Sequence, residues 1–551
     1  MTSEQHDRTF ASRVRAALPN VLPKFLQQQR WFGGKARAIR ATEVVDIVRA
    51  ATEPAVFIVF IRVFYEDLSS QLYALPLEPL DGRNLAAPKY GPAFDLPGDG
   101  GSPPVTLADA LWERRFSLWL LKAIERGETM AGERTKIVAR STRAFQEIGT
   151  GVDAEPSVLR GEQSNTSVIY GQRLILKFFR HVEQGVNPDL EVGTFLTEKT
   201  NFAHIPRVAG FLEFRPVEGE PGCLGILQAF VPNQGDAWKY TLAEVASYFD
   251  RVSTDGGVAP SFSPAVVGLK AGATLKSGQY PSGPVFDLPP GHPSPEVEAW
   301  IGNYLADAAL LGQRTAELHA ALASNAADPA FSPEPFLSED RAALAQSMLR
   351  LSEHVFSLLR GRLSGFDSTQ RPAAEKVLNG QSDIRERFET FGRRELQVRR
   401  TRIHGDYHLG QVLRTSGDFV IIDFEGEPAR PLAERRAKRL PLQDVAGMLR
   451  SFHYAAYTGL AHYAEKSGHL PASASEVFAM LWYTWISLFF LRAYFEFSAG
   501  AVFTPRSREE TRLLLESFLL EKAIYELGYE LNNRPDWVGL PLKGILSLLE
   551  S

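Results

Sequence analysis

The sequence predicts an α+β fold in two lobes, a β-rich first half and a helical second half. Three observations carry that prediction. Runs rich in Val, Ile, Phe and Tyr crowd the chain before residue 232, helical periodicity governs it from 295 to the end, and one short β stretch interrupts that helical half at 403–425. At 551 residues the chain also exceeds what one hydrophobic core supports, so two to four packed units are expected.

The strands come first. After a short helical opening, EVVDIVRA, AVFIVFIRVFY and QLYALPL follow one another with polar breaks, as in a meandering antiparallel sheet. Residues 86–105, crowded with Pro and Gly, read as a linker, and a helical patch is expected over 107–147. Strands return with PSVLR, SVIYG and RLILKFF, then the helix PDLEVGTFLTEKT, then a strand pair ending in GILQAFV. The helical half is typified by YLADAALLGQRTAELHAAL and RLLLESFLLEKAIYELGYEL. The expected organisation is therefore a cap over 1–105, an intermediate region and β-rich lobe over 106–232, and a helical lobe over 233–551. Residues 253–294, rich in Pro and Gly, form an aperiodic insertion in that lobe.

Composition narrows the function classes. With 44% hydrophobic, 11% aromatic and 23% charged residues, the chain has the makeup of a well-buried fold. A formal net charge of -5 argues against nucleic acid as the main partner, so an anionic ligand needs local cations or a metal ion. One cysteine, Cys223, leaves no internal disulfide framework and suits a reducing cytoplasm. The N-terminus lacks the apolar core of a secretory signal. The most apolar window, residues 477–491, has fifteen uncharged residues between Glu476 and Arg492, short of the roughly 20 that cross a bilayer. A buried helix in a soluble, cytoplasmic protein is the expectation, with no membrane partner.

The chemistry concentrates in IHGDYHLGQVLRTSGDFVIIDFE, residues 403–425. Asp406 stands five residues before Gln411, a loop length that lets both side chains aim at one point. RTSGD supplies a turn, and the apolar strand FVIIDF ends in Asp423. The hairpin brings Asp406, Gln411 and Asp423 to the same end. Gln411 and Asp423 make a hard-oxygen site suited to Mg²⁺, leaving Asp406 to orient a hydroxyl and accept its proton. That division suits phosphoryl transfer, which is mostly positioning and charge stabilisation. The spacing agrees with the protein-kinase pattern H-R-D-x-x-x-x-N followed by D-F-G, with Gly405, Gln411 and Glu425 as replacements.

A second half of such a site belongs in the first lobe. Lys177 lies inside the apolar strand LILKFF, where a lysine needs a partner; Glu191 on the next helix is the candidate, and the pair suits the α/β-phosphates of ATP. No G-x-G-x-x-G precedes that strand. Instead Asn165, Thr166 and Ser167 are expected at a hairpin tip, where small polar residues can cover phosphates; Gln228, in GILQAFV, is a further nucleotide candidate.

Longer strings point further. RWFGGKAR (30–37), FVPNQGDAWKY (230–240), IHGDYHLGQVLR, IIDFEGEPARPLAERRAKRLPLQDVAGMLRSFHYAA (421–456) and EKAIYELGYELNNRPDWVGLPLKGILSLL (521–549) resemble maltokinases, in particular the maltokinase part of trehalose synthase–maltokinase fusions. The resemblance runs over nearly the whole chain. It implies a bilobal fold similar to protein kinases and aminoglycoside phosphotransferases with an added N-terminal cap. It also implies ATP-dependent phosphorylation of maltose at the anomeric hydroxyl, feeding α-glucan synthesis. By that resemblance Asp406 is the base, Gln411 and Asp423 hold Mg²⁺, Lys177 with Glu191 positions ATP, and Asp444 props the catalytic loop. No trehalose synthase domain is present in these 551 residues, so a non-covalent association with that enzyme is the expectation.

A disaccharide needs hydroxyl partners and an apolar platform. His408, Glu425 and Arg450 are the candidates for hydroxyls, and Trp485 and Tyr494 for stacking, although for both aromatics a helix face packed into the core is the better fit. Arg450 equally fits a structural ion pair. The alternatives are a kinase for another sugar or amino sugar such as glucosamine, with Asp236, Glu425 or Glu427 as the extra carboxylate, and a catalytically silent scaffold for a partner enzyme.

Overall fold

The computed structural model describes residues 3–52, 55–80, 91–98, 103–149, 155–159, 164–254, 291–467 and 472–550. Most of the 253–294 insertion, and parts of the 86–105 linker, lie outside the described residues. The chain forms two compact units, one of Met1–Pro232 with Arg430–Glu434 and one of Asn233–Ala429 with Arg435–Ser551.

The first unit opens on helix α1 (Ser3–Gln28), which lies on an antiparallel sheet of β1 (Ile39–Thr52), β2 (Ala55–Tyr65), β3 (Ser70–Leu80), β4 (Ala93–Leu96) and β5 (Val105–Asp109), in the order β1-β2-β3-β5-β4. Val14, Leu18 and Leu22 of α1 are fully buried with Val59, Ile61 and Val63 of β2. RWFGGKAR is a packing corner: Trp31 and Phe32 lie against Tyr73, and Arg37 stacks on Tyr65 at 3.7 Å.

Helix α2 (Arg114–Arg126) leads to a second sheet. Its strands are β6 (Thr129–Ala131), β7 (Thr135–Ser141), β8 (Pro156–Val158), β9 (Asn165–Tyr170), β10 (Leu174–Phe179), β12 (Val208–Pro216) and β13 (Gly222–Ala229), in the order β6-β7-β12-β13-β10-β9-β8. Helices α3 (Arg143–Ile148) and α4 (Pro188–Lys199) flank it, and the short β11 (His181–Val182) pairs with β3 of the first sheet. One core serves both sheets, with Val48, Ile58 and Phe60 beside Leu120, Leu176 and Leu212. A buried ion pair ties them as well, Arg180 Nη2 to Asp109 Oδ2 at 2.5 Å.

Two expectations fail in this unit. The 107–147 patch is not helical throughout, because TKIVARS forms β7, whose alternating Ile137 and Ala139 are buried while it pairs along β12. Asn165, Thr166 and Ser167 are not at a hairpin tip but open β9, in register with Phe179, Phe178 and Lys177. Ladder pairing buries Thr166 and Ser167, and the Thr166 hydroxyl accepts from Arg180 Nε at 2.9 Å. Residues 160–163, between β8 and β9, lie outside the described residues.

The second unit is helical: α5 (Ala237–Thr254), α6 (Pro295–Ile301), α7 (Tyr304–Leu322), α8 (Ser338–Arg362), α9 (Gln370–Asn379), α10 (Gln381–Arg393), α12 (Leu442–Ser467), α13 (Ala472–Phe497), α14 (Arg508–Asn533) and α15 (Gly539–Leu549), while all but the last residue of the short α11 (Leu432–Arg435) counts with the first unit. Two small antiparallel pairs interrupt it, the long-range pair β14 (Glu334–Pro335) with β15 (Arg399–Arg400), and the hairpin β16 (Val412–Arg414) with β17 (Phe419–Ile421). Glu476–Phe497 is long and apolar enough to cross a membrane by composition, yet 67% of its most apolar window is buried inside the fold. It is a core helix, with Trp482, Ile486 and Phe490 fully enclosed.

Candidate active site

The loop before β16 is held by a lattice of hydrogen bonds, because a buried segment without regular secondary structure must find partners for its backbone groups outside itself. Asp444, on the first turn of α12, accepts from the backbone N–H of His404 at 2.7 Å and of Gly405 at 2.9 Å. Its Oδ2 also lies 3.1 Å from His319 Nε2, whose Nδ1 is 3.0 Å from the Tyr494 hydroxyl. Burial raises the Asp444 pKa, but the His319 hydrogen bond, the nearby His319 and His404, and the Gly405 N–H outweigh it, so the carboxyl is held below its ordinary value. Gly447, one turn along α12, has no Cβ where one would stand 2.6 Å from the Tyr407 carbonyl oxygen.

His404 ties the loop to the hairpin. Its Nε2 lies 2.9 Å from the Ile422 carbonyl oxygen, and its Nδ1 accepts from the Asp406 N–H at 3.4 Å, so the proton sits on Nε2. The Ile422 N–H donates to the Gln411 carbonyl at 3.0 Å, extending the ladder in which Val412 faces Ile421. Gln411 and Asp423 thus flank the same open end of the hairpin. Asp423 adopts φ 67°, a left-handed conformation that an L-residue holds only when its surroundings impose it. One carboxylate and one amide oxygen here fit a hard cation such as Mg²⁺.

Asp406 faces a cleft of about 730 Å³ in the helical unit. His408 Nε2 lies 3.8 Å from one carboxylate oxygen and Lys522 Nζ 3.7 Å from the other. Burial lowers the His408 pKa, Asp406 opposes it, and Lys522 adds to the lowering, so the ring is neutral at pH 7. Its Nδ1 accepts from the Gly410 N–H at 3.0 Å, which places the proton on Nε2, toward Asp406.

The far wall was not read from the sequence. Lys522, Tyr525, Glu526, Tyr529 and Glu530 line the cleft from one face of α14, at i, i+3, i+4, i+7 and i+8. That stripe is about 12 Å long. Trp238, Tyr454, Arg534 and Trp537 complete an aromatic wall, with Arg534 stacked 4.9 Å from Trp537 and 5.5 Å from Tyr529. The signal was present in KAIYELGYE, whose helical spacing puts a cation, two tyrosines and two glutamates on one face.

The other acceptor candidates separate. Asp236 and Glu427 line the cleft, whereas Glu425 is half-buried outside its lining. Arg450 is buried and bonds Glu526 through Nε at 2.9 Å and Nη2 at 2.7 Å, so it holds a cleft carboxylate from behind. Trp485 and Tyr494 are core residues, 5% and 1% exposed; Trp485 packs near Phe489, and Tyr494 serves His319. Each follows from helix faces that α7 and α12 cover.

In the β-rich unit, Lys177 Nζ lies 3.5 Å from Asp189 Oδ2, a buried carboxylate not singled out from the sequence. Asp189 and Glu191 share the first turn of α4, which Asn187 caps by accepting from the Leu190 N–H at 3.0 Å. Two residues apart, they point to different sides of the helix. Gln228 lies in β13 opposite Ile175 of β10.

Comparison with known proteins bears on the fold. Residues 25–87 match the family described as the maltokinase N-terminal cap domain. The chain is 23% identical over 460 residues to a glucosamine kinase of Mycolicibacterium smegmatis, covering 82% of this chain and 94% of that one. It is 24% identical over 296 residues to a glucosamine kinase of Streptacidiphilus jiangxiensis, 53% of each chain. Among solved structures, a glucosamine kinase in complex with glucosamine, ADP and inorganic phosphate matches with a TM-score of 0.59 at 18% identity, over 98% of both chains. A second glucosamine kinase crystal form matches with a TM-score of 0.60 at 17% identity, over 98% of this chain and 99% of that one. The chain therefore has a kinase-like α+β fold, shared with glucosamine kinases along its whole length, and bears a maltokinase-type cap.

Proposed function

We propose that the protein is a sugar kinase that transfers the terminal phosphoryl group of ATP to the anomeric hydroxyl of maltose. The observation that carries this reading is Asp406, fixed by the Asp444 lattice and facing a cleft walled by aromatic rings and hydroxyl-binding groups. In the reaction the acceptor oxygen bonds to the γ-phosphorus as the bond to the ADP oxygen breaks, and Asp406 takes the hydroxyl proton. His408 donates to the acceptor from its Nε2 face. Lys177, paired with Asp189, and Glu191 and Gln228 are assigned to the nucleotide. Gln411 and Asp423 are assigned to Mg²⁺, which when bound neutralises phosphate charge.

Maltose is favoured over an amino sugar by charge. Four of the five cleft carboxylates already meet a cation: Asp236 with Lys239 at 3.5 Å, Asp406 with Lys522 at 3.7 Å, Glu526 with Arg450 at 2.7 Å, and Glu530 with Arg534 at 2.7 Å. Little negative charge is left to attract an ammonium. The 12 Å stripe on α14, about eight residues long, suits two linked rings. The second reading, an amino-sugar kinase, rests on the glucosamine kinases that the chain resembles over most of its length. Phosphate transfer from ATP and Mg²⁺ to maltose, glucose, glucosamine and trehalose decides between them. Maltose should be the best acceptor, and Asp406→Asn should abolish transfer while leaving the circular dichroism spectrum unchanged. Preference for glucosamine by orders of magnitude replaces the first reading with the second.

A further inference from the structure

Among the described residues Lys522 is the cation nearest the proposed base, and no part of the phosphoryl-transfer pattern calls for it. Its Nζ lies 3.7 Å from Asp406 Oδ1, on the carboxylate oxygen opposite His408. It reaches there from α14, lines the cleft, and rests over the Tyr525 ring at 4.8 Å. Its side chain is 30% exposed and Asp406 is 21% exposed, so the pair is partly shielded from water, where a charge acts more strongly on its neighbours.

We propose that Lys522 is a specificity-determining residue that excludes acceptors carrying an ammonium beside the reacting hydroxyl. This rests on the reading of the cleft as a sugar-phosphorylation site. A hydroxyl taken by Asp406 sits roughly 2.7 Å from a carboxylate oxygen. In the pose proposed here, with that hydroxyl on the Lys522 side of the carboxylate, the substituent on the neighbouring carbon falls in the space that Nζ faces. A hydroxyl there accepts a hydrogen bond from the lysine, whereas an ammonium offers no acceptor and meets a like charge. Glucose and glucosamine differ at that one position, C2 beside the anomeric carbon, so they isolate the effect. Specificity of this kind comes from a repulsive element.

The test compares kcat/KM for glucose and glucosamine, with ATP and Mg²⁺, in the full-length protein, Lys522→Met, Lys522→Gln and Lys522→Arg. The wild type should favour glucose at least tenfold. The two neutral variants should narrow that ratio by tenfold or more, and Lys522→Arg should restore it, a pattern that a merely structural lysine does not produce. Transfer by the wild type with the same ratio in all folded variants overturns the inference alone. Absence of transfer to any sugar by the wild type overturns the sugar-kinase reading and this inference together.

Discussion

The His404 backbone N–H donates to Asp444 Oδ2 at 2.7 Å, so a side chain on α12 fixes the start of the loop that carries Asp406. The same carboxylate takes the Gly405 N–H and faces His319, and Gly405 itself sits at φ 85°. The loop's geometry is therefore set from outside the loop.

Replacing Asp444 with Asn puts an amide N–H where one of these donors needs an acceptor. Stability should fall by about 3 kcal/mol, the cost of losing a charge-assisted bond and stranding a buried donor. Phosphate transfer should drop about 100-fold, since a displaced base no longer meets the acceptor. Urea unfolding and steady-state kinetics check both, and an unchanged kcat would show that Asp406 holds its place without this anchor.

Trp537 stacks on Arg534, which pairs with Glu530 at the far end of the α14 stripe from Lys522. Trp537→Ala should raise KM for maltose about 3- to 10-fold, from the loss of one aromatic contact, with kcat little altered. The same variant should leave KM for glucose nearly as it was, because one ring does not reach that wall. Equal effects on both sugars would remove Trp537 from the acceptor platform.

His453, on α12, is 2% exposed, and neither ring nitrogen meets a hydrogen-bond partner among the described residues. Burial, then Arg450, then Lys543, hold its pKa well below the ordinary 6.5. Below pH 6.5 the unfolded chain binds a proton there that the native state refuses, so stability falls as pH falls. His453→Leu should flatten that decline between pH 7 and pH 5 and raise the urea midpoint at both ends, since two unpaired nitrogens are removed. Parallel wild-type and variant curves of midpoint against pH would refute it.

Glu78, on β3, shows the opposite sign. Burial raises its pKa to about 7, Glu113 adds to the rise, and Arg115 opposes it. Its Oε2 is buried without a hydrogen-bond partner among the described residues. The native state holds a proton that the unfolded chain releases near pH 4.5, so this stability is present in acid and is lost as pH rises through about 7. Glu78→Gln should raise the thermal midpoint at pH 8 and change it little at pH 5. A variant less stable at pH 8 than the wild type would overturn this.

Much of the fold was legible where one residue type meets one periodicity. AVFIVFIRVFY and LILKFF are β2 and β10 to the residue: β2 is apolar because both of its faces are largely buried, and β10 because its runs of Leu, Ile and Phe have high strand propensity. TKIVARS was less visible, since a short alternating strand next to a helix carries little pattern of its own. In the site, HGDYHLGQ and Asp423 could be read because the hairpin that gathers them is local in sequence. For Trp485 and Tyr494 the core is the better reading and the structure buries both there; as a sugar platform they fail, and a helix of near-uniform apolarity carries no pattern that separates the two roles.

The sequence by itself determined the α+β class, the β-rich first half, and the loop-and-hairpin that bears Asp406, Gln411 and Asp423. Tertiary structure alone decided which side chains share the cleft. Lys522 stands 116 positions from Asp406 yet 3.7 Å away, and Glu526 is held by Arg450 rather than left open. Short-range order follows from spacing along the chain, whereas such pairings depend on how whole helices pack, and that is fixed only when the core closes around them.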